Sequence, residues 1–390
     1  MRARLEAVLR LCVVAAALGA YAAGAASFAR GTAYYPLYRS SGGAHVSYAR
    51  ARVLAVTSET IDPSGQSGPA TGYQDLEVRL LGGEKAGTEL SVRNYLNYTT
   101  NFRLRAGQTF IAHVDVADPL HFSVSVYSPD RFRPLLALAA LFVAALCGIG
   151  GMRGLRSLLG IGFTFVGIAF IFIPMLYRGA SPALCALAVV ATTLCVSLAL
   201  LGGLDAKTLS AILGCLAGLG VSALALAVFQ RLTMTSGYTT AESDALLAIA
   251  GRSGMKVGEL LFAAMLIASS GAIMDVAISV ASAAREVSLC DPLMPRIRLF
   301  RSGMNVGRDM MGTMANTLIL AFTGTSLNAL ILIYSLERSA LQIFDSNAIA
   351  AAIVEALAGS LAVILTVPAV SAIAAFLMGG RRGMSGLTKS

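Results

Sequence analysis

A chain of 390 residues in which 56% are hydrophobic and only 13% charged, with a mean hydropathy of +0.72, is too apolar for an ordinary soluble enzyme and reads as a polytopic membrane protein. The net charge of +9 does not imply nucleic acid, because the basic residues sit in short loops between apolar runs and in one soluble segment, with no Lys/Arg block. The six cysteines show no CxxC and no metal-ligand spacing, and the soluble segment holds none, so they read as free thiols.

The chain opens with MRARLEAVLR and an apolar run that ends in small residues near Ala26. Two readings fit: a cleaved signal peptide, or an uncleaved first span over about Val8 to Ala29, which is long enough to cross about 30 Å of hydrocarbon. The anchor, taken as residues 1–29, is the preferred one.

From 30 to 133 the composition changes to charged residues, Gly-rich turns and alternating apolar positions. Val53 and Ala55, then Leu76, Val78 and Leu80, then Leu90 and Val92, and finally Thr109 to Val116 fit half-buried strands. Asp62 to Gly72 reads as a flexible loop, and Gly82-Gly83 opens a turn that closes by Gly87. About five or six short strands predict a small β-barrel-like domain, OB-like in proportion. His45, His113 and His121 are too scattered for a metal site. Phe102 with Arg103, Arg105 and the tyrosines can form a stacking surface, but such residues more often fill a small barrel, and no nucleic acid is expected.

After Pro134 apolar runs follow at about Leu135 to Gly151, Leu158 to Tyr177, Pro182 to Gly202, Thr208 to Arg231, Val257 to Ala281, Met310 to Ser335 and Ala348 to Met378. With the first segment they predict about eight transmembrane helices, seven of them a body over 134–380, before a tail at 381–390. Gly214 and Gly218 form a GxxxG pair, for which chance is the favoured explanation in a chain with 39 glycines. DALLAIA, inside the loop Thr233 to Lys256, fits a short interfacial helix.

Arg2, Arg4, Arg10, Arg153, Arg156, Lys207, the cluster from Arg285 to Arg308, and Arg381, Arg382 and Lys389 all fall on one side of this map. The opposite short loops hold only Arg178, Arg231, Arg252, Lys256 and Arg338. That asymmetry makes the first side cytoplasmic, with both termini inside and the β segment outside.

The polar centre is the stretch Ser269 to Leu320. Gly271, Asp275 and Ser279 recur at i, i+4 and i+8, and after a basic loop Asn305, Asp309, Thr313 and Asn316 or Thr317 do the same. A carboxylate at bilayer depth costs roughly 2.5–3.5 kcal/mol on insertion scales, so such groups face a bundle interior and carry function. With inner boundaries at Ala281 and Met310, Asp275 and Asn316 are expected at similar depth. Glu355 lies near the outer end of the last span, ahead of Gly359 and Pro368. Three readings compete. The groups line the path of a transporter or channel, or they only fix helix packing. The third, an intramembrane enzyme, is disfavoured: no span holds a His, GxSxG and HExxH are absent, and an aspartyl dyad of Asp275 with Asp309 or Glu355 would join residues of different expected depth.

GAIMDVAISVASA, SGMNVGRDMMGTMANTLILAFTGTSL and EALAGSLAVILTVP resemble the characteristic stretches of YibE/F-like bacterial membrane proteins, most strongly from Lys256 to Pro368. The order of one span, an extracytoplasmic β segment and a multi-span body is similar too. None of Asp275, Asn305, Arg308, Asp309, Asn316 or Glu355 departs from that pattern, whereas Asp62 to Gly72 and the C-terminal tail are particular to this chain. The resemblance implies a bacterial plasma-membrane protein, with transport the expected role and no defined substrate.

The sequence therefore predicts a permease of an ion or small solute whose path includes Asp275, Ser279, Asn305, Arg308, Asp309, Thr313, Asn316, Thr317 and Glu355. The alternative is a non-transporting membrane component whose outer β domain recruits a protein partner or senses the extracytoplasmic face. Neither reading involves a cofactor, a metal or enzyme chemistry.

Overall fold

A computed structural model describes residues 2–34, 46–62, 71–83, 85–97, 101–116, 122–203, 205–239, 242–335, 342–343 and 346–379. Most of the expected loop from Asp62 to Gly72, His45, His121 and the tail 381–390 lie outside these residues. The chain divides into two compact units, Tyr38–Ala145 and Met1–Leu37 with Leu146–Ser390.

The first unit carries five antiparallel strands: β1 (Val46–Asp62), β2 (Thr71–Leu80), β3 (Glu89–Leu96), β4 (Thr109–Asp115) and β5 (Ser123–Pro129), in the order β3-β2-β1-β4-β5. The alternation read from the sequence sets which face is buried. Leu76, Val78 and Leu80, Val92, and Phe110, Ala112 and Val114 point inward and meet Ala51 and Val53 in one apolar core. β1 is long enough to serve two neighbours, Val53 pairing with Val78 and Ala51 with Phe110. Register shifts after Val53 and Val56 bend it between them. The edges β3 and β5 touch without pairing, so the expected barrel is a half-barrel sheet.

One buried polar pair locks the connection after β3. Asn94 donates to Gln74 Oε1 (3.1 Å) and to the Phe102 carbonyl (3.1 Å), while Gln74 donates to the Leu104 carbonyl (3.2 Å) and accepts from the Leu104 amide (3.0 Å). With these bonds made, the two amides are satisfied without water. Phe102 packs on the core, as the barrel-filling reading requires, and Arg103 lies 3.8 Å from Glu59.

The second unit is helical. It contains α1 (Arg2–Arg30), most of α2 (Phe132–Gly167) with a π turn at Ile168–Phe172, and α3 (Ile173–Tyr177). There follow α4 (Pro182–Gly202), α5 (Ala206–Thr233), α6 (Ser243–Ser253), α7 (Leu260–Cys290), α8 (Arg296–Thr325), α9 (Leu327–Ser335) and α10 (Asn347–Met378). Among the described residues five helices are long and apolar enough to cross a membrane, or six if α8 and α9, bent by 59°, form one broken span. That is fewer than the expected eight, for two reasons. The two expected spans between Leu135 and Tyr177, two helices that meet at Gly151, count as the single run Phe132–Tyr177, and α1 is not among the five. The run's 46 residues, at about 1.5 Å each, have the length for two crossings of the hydrocarbon. It is interrupted at Gly151, whose φ of 52° and ψ of −132° suit a residue without Cβ. Before the break, Leu135, Leu138, Leu141, Phe142 and Ile149 are exposed, an apolar surface suited to lipid.

α10 is the axis of the helical unit, with α5, α8 and α7 packed around it. Two GxxxG pairs grip it from two sides. A Cβ on Gly214 or Gly218 of α5 would run into Val370 or Thr366, and one on Gly303 or Gly307 of α8 would run into Ser371 or Val367. The α5 pair is therefore a true contact and not a chance match, and the α8 pair escapes notice in the sequence. Backbones this close gain dispersion contact that lipid does not offer them apart. Small hydroxyls fill what remains: Ser222 and Ser269 share a 3.0 Å hydrogen bond, and Ser288 donates to the Met378 carbonyl at 3.0 Å. At the other edge α1 is fixed by Tyr21 stacked on Phe163 at 4.4 Å and by Arg178, which lies 3.8 Å over the Phe28 ring and donates to Thr32 at 3.0 Å. The short helix expected around DALLAIA is α6.

Two outcomes follow from these contacts. Gly218→Val and Gly307→Val should each destabilise the purified protein by about 1–3 kcal/mol through overpacking. Gly220→Val, whose Cβ meets nothing within 4 Å, should leave its thermal midpoint in detergent unchanged. Second, residues 46–130 expressed alone should fold as a β-rich unit, read by circular dichroism, and should weaken in acid. Asp75 accepts from Arg93 at 2.7 Å and from Ser58 at 2.8 Å, which holds its carboxyl below the ordinary value of 3.8. A depressed folded value means that the stabilisation is complete above the unfolded value and is lost as pH falls through the folded one. Asp75→Asn should flatten the stability profile below about pH 4.

Candidate functional site

The polar centre differs from its expected layout at the turn between α7 and α8. α7 continues past its apolar span to Cys290 and α8 already begins at Arg296, so Arg296, Arg298, Arg301 and Arg308 are helical and the connection is only Asp291 to Pro295. α8 is thereby amphipathic from its first turn. Its small face, Leu299, Gly303, Gly307 and Leu318, packs inward, and Asn305, Arg308, Asp309, Thr313, Asn316 and Thr317 are all exposed on the single chain.

On α7, Ile273, Val276, Ala277 and Val280 are buried, while Ala268, Gly271 and Asp275 form an exposed stripe that Ser279 continues half-buried. Next to it Ser270, Gly271 and Met274 line a cavity of about 120 Å³ against Thr164, Thr193 and Ser197. Glu355 is half-buried on α10. Among the described residues no hydrogen bond or ion pair joins any two of Asp275, Asn305, Arg308, Asp309, Asn316 and Glu355. Thr313 and Thr317 instead donate to carbonyls of their own helix, of Met310 at 2.8 Å and Thr313 at 2.9 Å.

Contacts with α10 give the depth of each group. Gly359 meets Ser269 and Leu318, Ser360 donates to the Ala315 carbonyl at 3.5 Å, and Thr366 and Ile273 meet at Gly218, close to where Val367 meets Gly307. Asp275 therefore lies level with Thr366 and with Asp309, while Asn316 lies level with Gly359. The expected pairing of Asp275 with Asn316 fails by roughly 10 Å along the axis. It fails because both helices run beyond the apolar residues that set their expected boundaries, which shifts their stagger. Glu355 is about 15 Å from the level of Asp275, so those two cannot form a dyad. Asp309 does share the depth of Asp275, contrary to expectation, but the two carboxyls are not hydrogen-bonded. The groups thus form successive levels along the spans rather than one cluster.

Sequence reasoning missed two features. Glu259 accepts hydrogen bonds from the Ser181 hydroxyl and the Ala183 amide (3.4 Å), tying the start of α4 to the start of α7. It shares an open cavity of about 530 Å³ with Gln230, Arg231, Thr235 and Phe262. Its position close to Lys256 was the only signal in the sequence. The buried Ser222, Ser269 and Thr366 give none, since their spacing is unremarkable within single helices.

The exposed α7 and α8 stripes predict water at membrane depth. In a cysteine-free background, Gly271→Cys, Thr313→Cys and Thr317→Cys should react with a small charged thiol reagent in intact membranes, and Leu138→Cys on the apolar surface of α2 should not. Equal inertness of all four would place the α8 stripe out of reach of water.

The sequence resemblance now has independent support. A family model described as YibE/F-like protein matches residues 138–380, which include every helix from α3 to α10 and all nine expected site residues. No curated protein and no solved structure matches the chain. With more than half its length covered by that model, the chain belongs to the YibE/F-like family of multi-pass membrane proteins.

Proposed function

We propose that this YibE/F-like protein is a permease that moves an ion or small solute across the bacterial plasma membrane. The observation that carries the reading is the succession of polar groups, none bonded to another of the set by its side chain, at different depths on α7, α8 and α10. Asp275, Ser279, Asn305, Arg308 and Asp309 hold the inner levels, Thr313, Asn316 and Thr317 the next, and Glu355 the outermost. Carboxylates and amides placed stepwise can replace hydration shells along a path, whereas groups that only fix the packing of a single chain would be paired with one another within it. The bend between α8 and α9 supports the same reading, since broken helices recur where transporters bind their substrates. The open cavity beside Arg231 and Glu259 would serve as the vestibule at the outer mouth. No enzymatic step and no cofactor enter this reading.

The proposed topology has eight spans, with α1 as the first and the Phe132–Tyr177 run crossing twice by turning at Gly151. Both termini are cytoplasmic and the half-barrel sheet extracytoplasmic, following the arginine and lysine asymmetry. Reporter fusions at Gly87, Gly179 and Asp244 should report an external location, and fusions at Met152, Asp291 and Ser390 a cytoplasmic one. A cytoplasmic signal at Gly87 would overturn the map.

A second reading, a non-transporting component whose β domain recruits a partner, is favoured by one observation. Tyr48 is exposed and meets Tyr127 at 5.0 Å and His113 at 5.5 Å, an aromatic cluster on the outside of the sheet. Flux into liposomes under an imposed pH or cation gradient separates the two. Under the permease reading Asp275→Asn should abolish flux with protein level and insertion unchanged, because the amide keeps the shape and removes the charge. Flux that survives both Asp275→Asn and Glu355→Gln would sink the path. Absence of wild-type flux for every solute, with loss of function on Tyr48→Ala or Tyr127→Ala, would favour partner recruitment.

A further inference from the structure

The exposed side of α8 has a regularity that the path does not require. Asn305, Gly312 and Ile319 are seven residues apart, and so are Asp309, Asn316 and Thr323, and all six are exposed. Two interleaved series with a period of seven define one straight seam of the kind along which two helices wind around each other. The seam lies on the side of α8 opposite Gly303 and Gly307, and among the described residues nothing covers it. Facing lipid, its carboxylate and amides would lie unsolvated at bilayer depth.

We propose that the seam is covered by α8 of a second copy of this chain, in a parallel two-fold pair, and that the polar path is complete only with the partner's residues as its second wall. The chemistry favours the same surface as its own complement. Copies inserted in one orientation and related by an axis along the membrane normal bring equal residue numbers to equal depth. Asn305 and Asn316 each carry a donor and an acceptor on one amide, so each can bond its own counterpart. Arg308 and Asp309 are adjacent, exposed and without an ion-pair partner among the described residues, so at equal depth the arginine of one copy meets the aspartate of the other twice over. A Cβ on Gly312 would meet nothing within 4 Å, which leaves room for a second backbone at the middle of the seam. Arg298 and Arg301, exposed further toward the start of the helix, would repel their copies, so the contact begins at Asn305. The proposal rests on the path reading for its second clause only, and the pairing stands or falls by itself.

The test uses the full chain in native membranes, with the six natural cysteines replaced. Asn305→Cys, Gly312→Cys and Asn316→Cys should cross-link to a species of twice the chain mass on mild oxidation, while Leu184→Cys and Leu224→Cys, exposed on other helices, should not. Arg308→Asp or Asp309→Arg alone should lower the dimer fraction about tenfold, and the double exchange should restore it, a rescue that a merely structural role would not give. Two-step photobleaching of the labelled wild type in nanodiscs is the expected stoichiometry. Single-step bleaching, cross-links confined to the control positions, adducts with a different protein, or failure of the double exchange would overturn the pairing. Flux without dimers would refute the pairing and keep the permease, whereas dimers without flux would refute the permease and keep the pairing.

Discussion

The close approach of α10 to α5 on one side and to α8 on the other determines the rest of the helical unit. Water does not drive helices together inside a bilayer, so contact has to come from shape, and four glycines supply it by removing the side chains that would stand between backbones. Once Gly214 and Gly218 seat Thr366 and Val370, and Gly303 and Gly307 seat Val367 and Ser371, the rotation of each helix about its own axis is fixed. That rotation turns the charged and amide side of α8 away from α10. The polar stripe is thus a consequence of the packing, because the side of α8 that holds glycine cannot also be the side that holds asparagine and aspartate.

The two units solve the same problem by different chemistry. In the sheet, alternation of large apolar residues around Phe110, Leu76 and Val78 excludes water, and one amide pair, Gln74 bonded to Asn94, ties an irregular segment to the core by three further hydrogen bonds. In the helical unit apolar residues are plentiful outside as well as inside. Specific fit therefore comes from glycine and small hydroxyls, Ser222 with Ser269 and Ser360 with the Ala315 carbonyl.

What could be read in advance follows from this difference. The strands were legible because alternation is a local property, and Pro182–Gly202 was legible at both ends because Pro starts a helix readily and Gly ends one. The start of α8 was not legible. Arg296 to Arg308 looks like a loop to any reading based on hydropathy, yet the helix needs those residues only to keep Gly303 and Gly307 against α10. The site residues were recognisable one by one as polar groups in apolar runs. Their mutual depth was not, because it depends on the stagger of helices distant in sequence. The displacement of Asn316 from Asp275 and the common level of Asp275 and Asp309 both arise there. The GxxxG on α5 shows the same limit in reverse: the motif was visible, but only the opposing Thr366 and Val370 distinguish it from the chain's other glycines.

The glycine seats also have a mechanical consequence. Side chains of α10 sit inside notches on both neighbours, so sliding any of these three helices along another would first require separating them, and interlocked cores of this kind do not shear continuously. The trio behaves as a stiff block. Deformation is cheapest where the helical hydrogen-bond ladder is already interrupted, at Gly151 and at the bend between α8 and α9, and these joints lie outside the block.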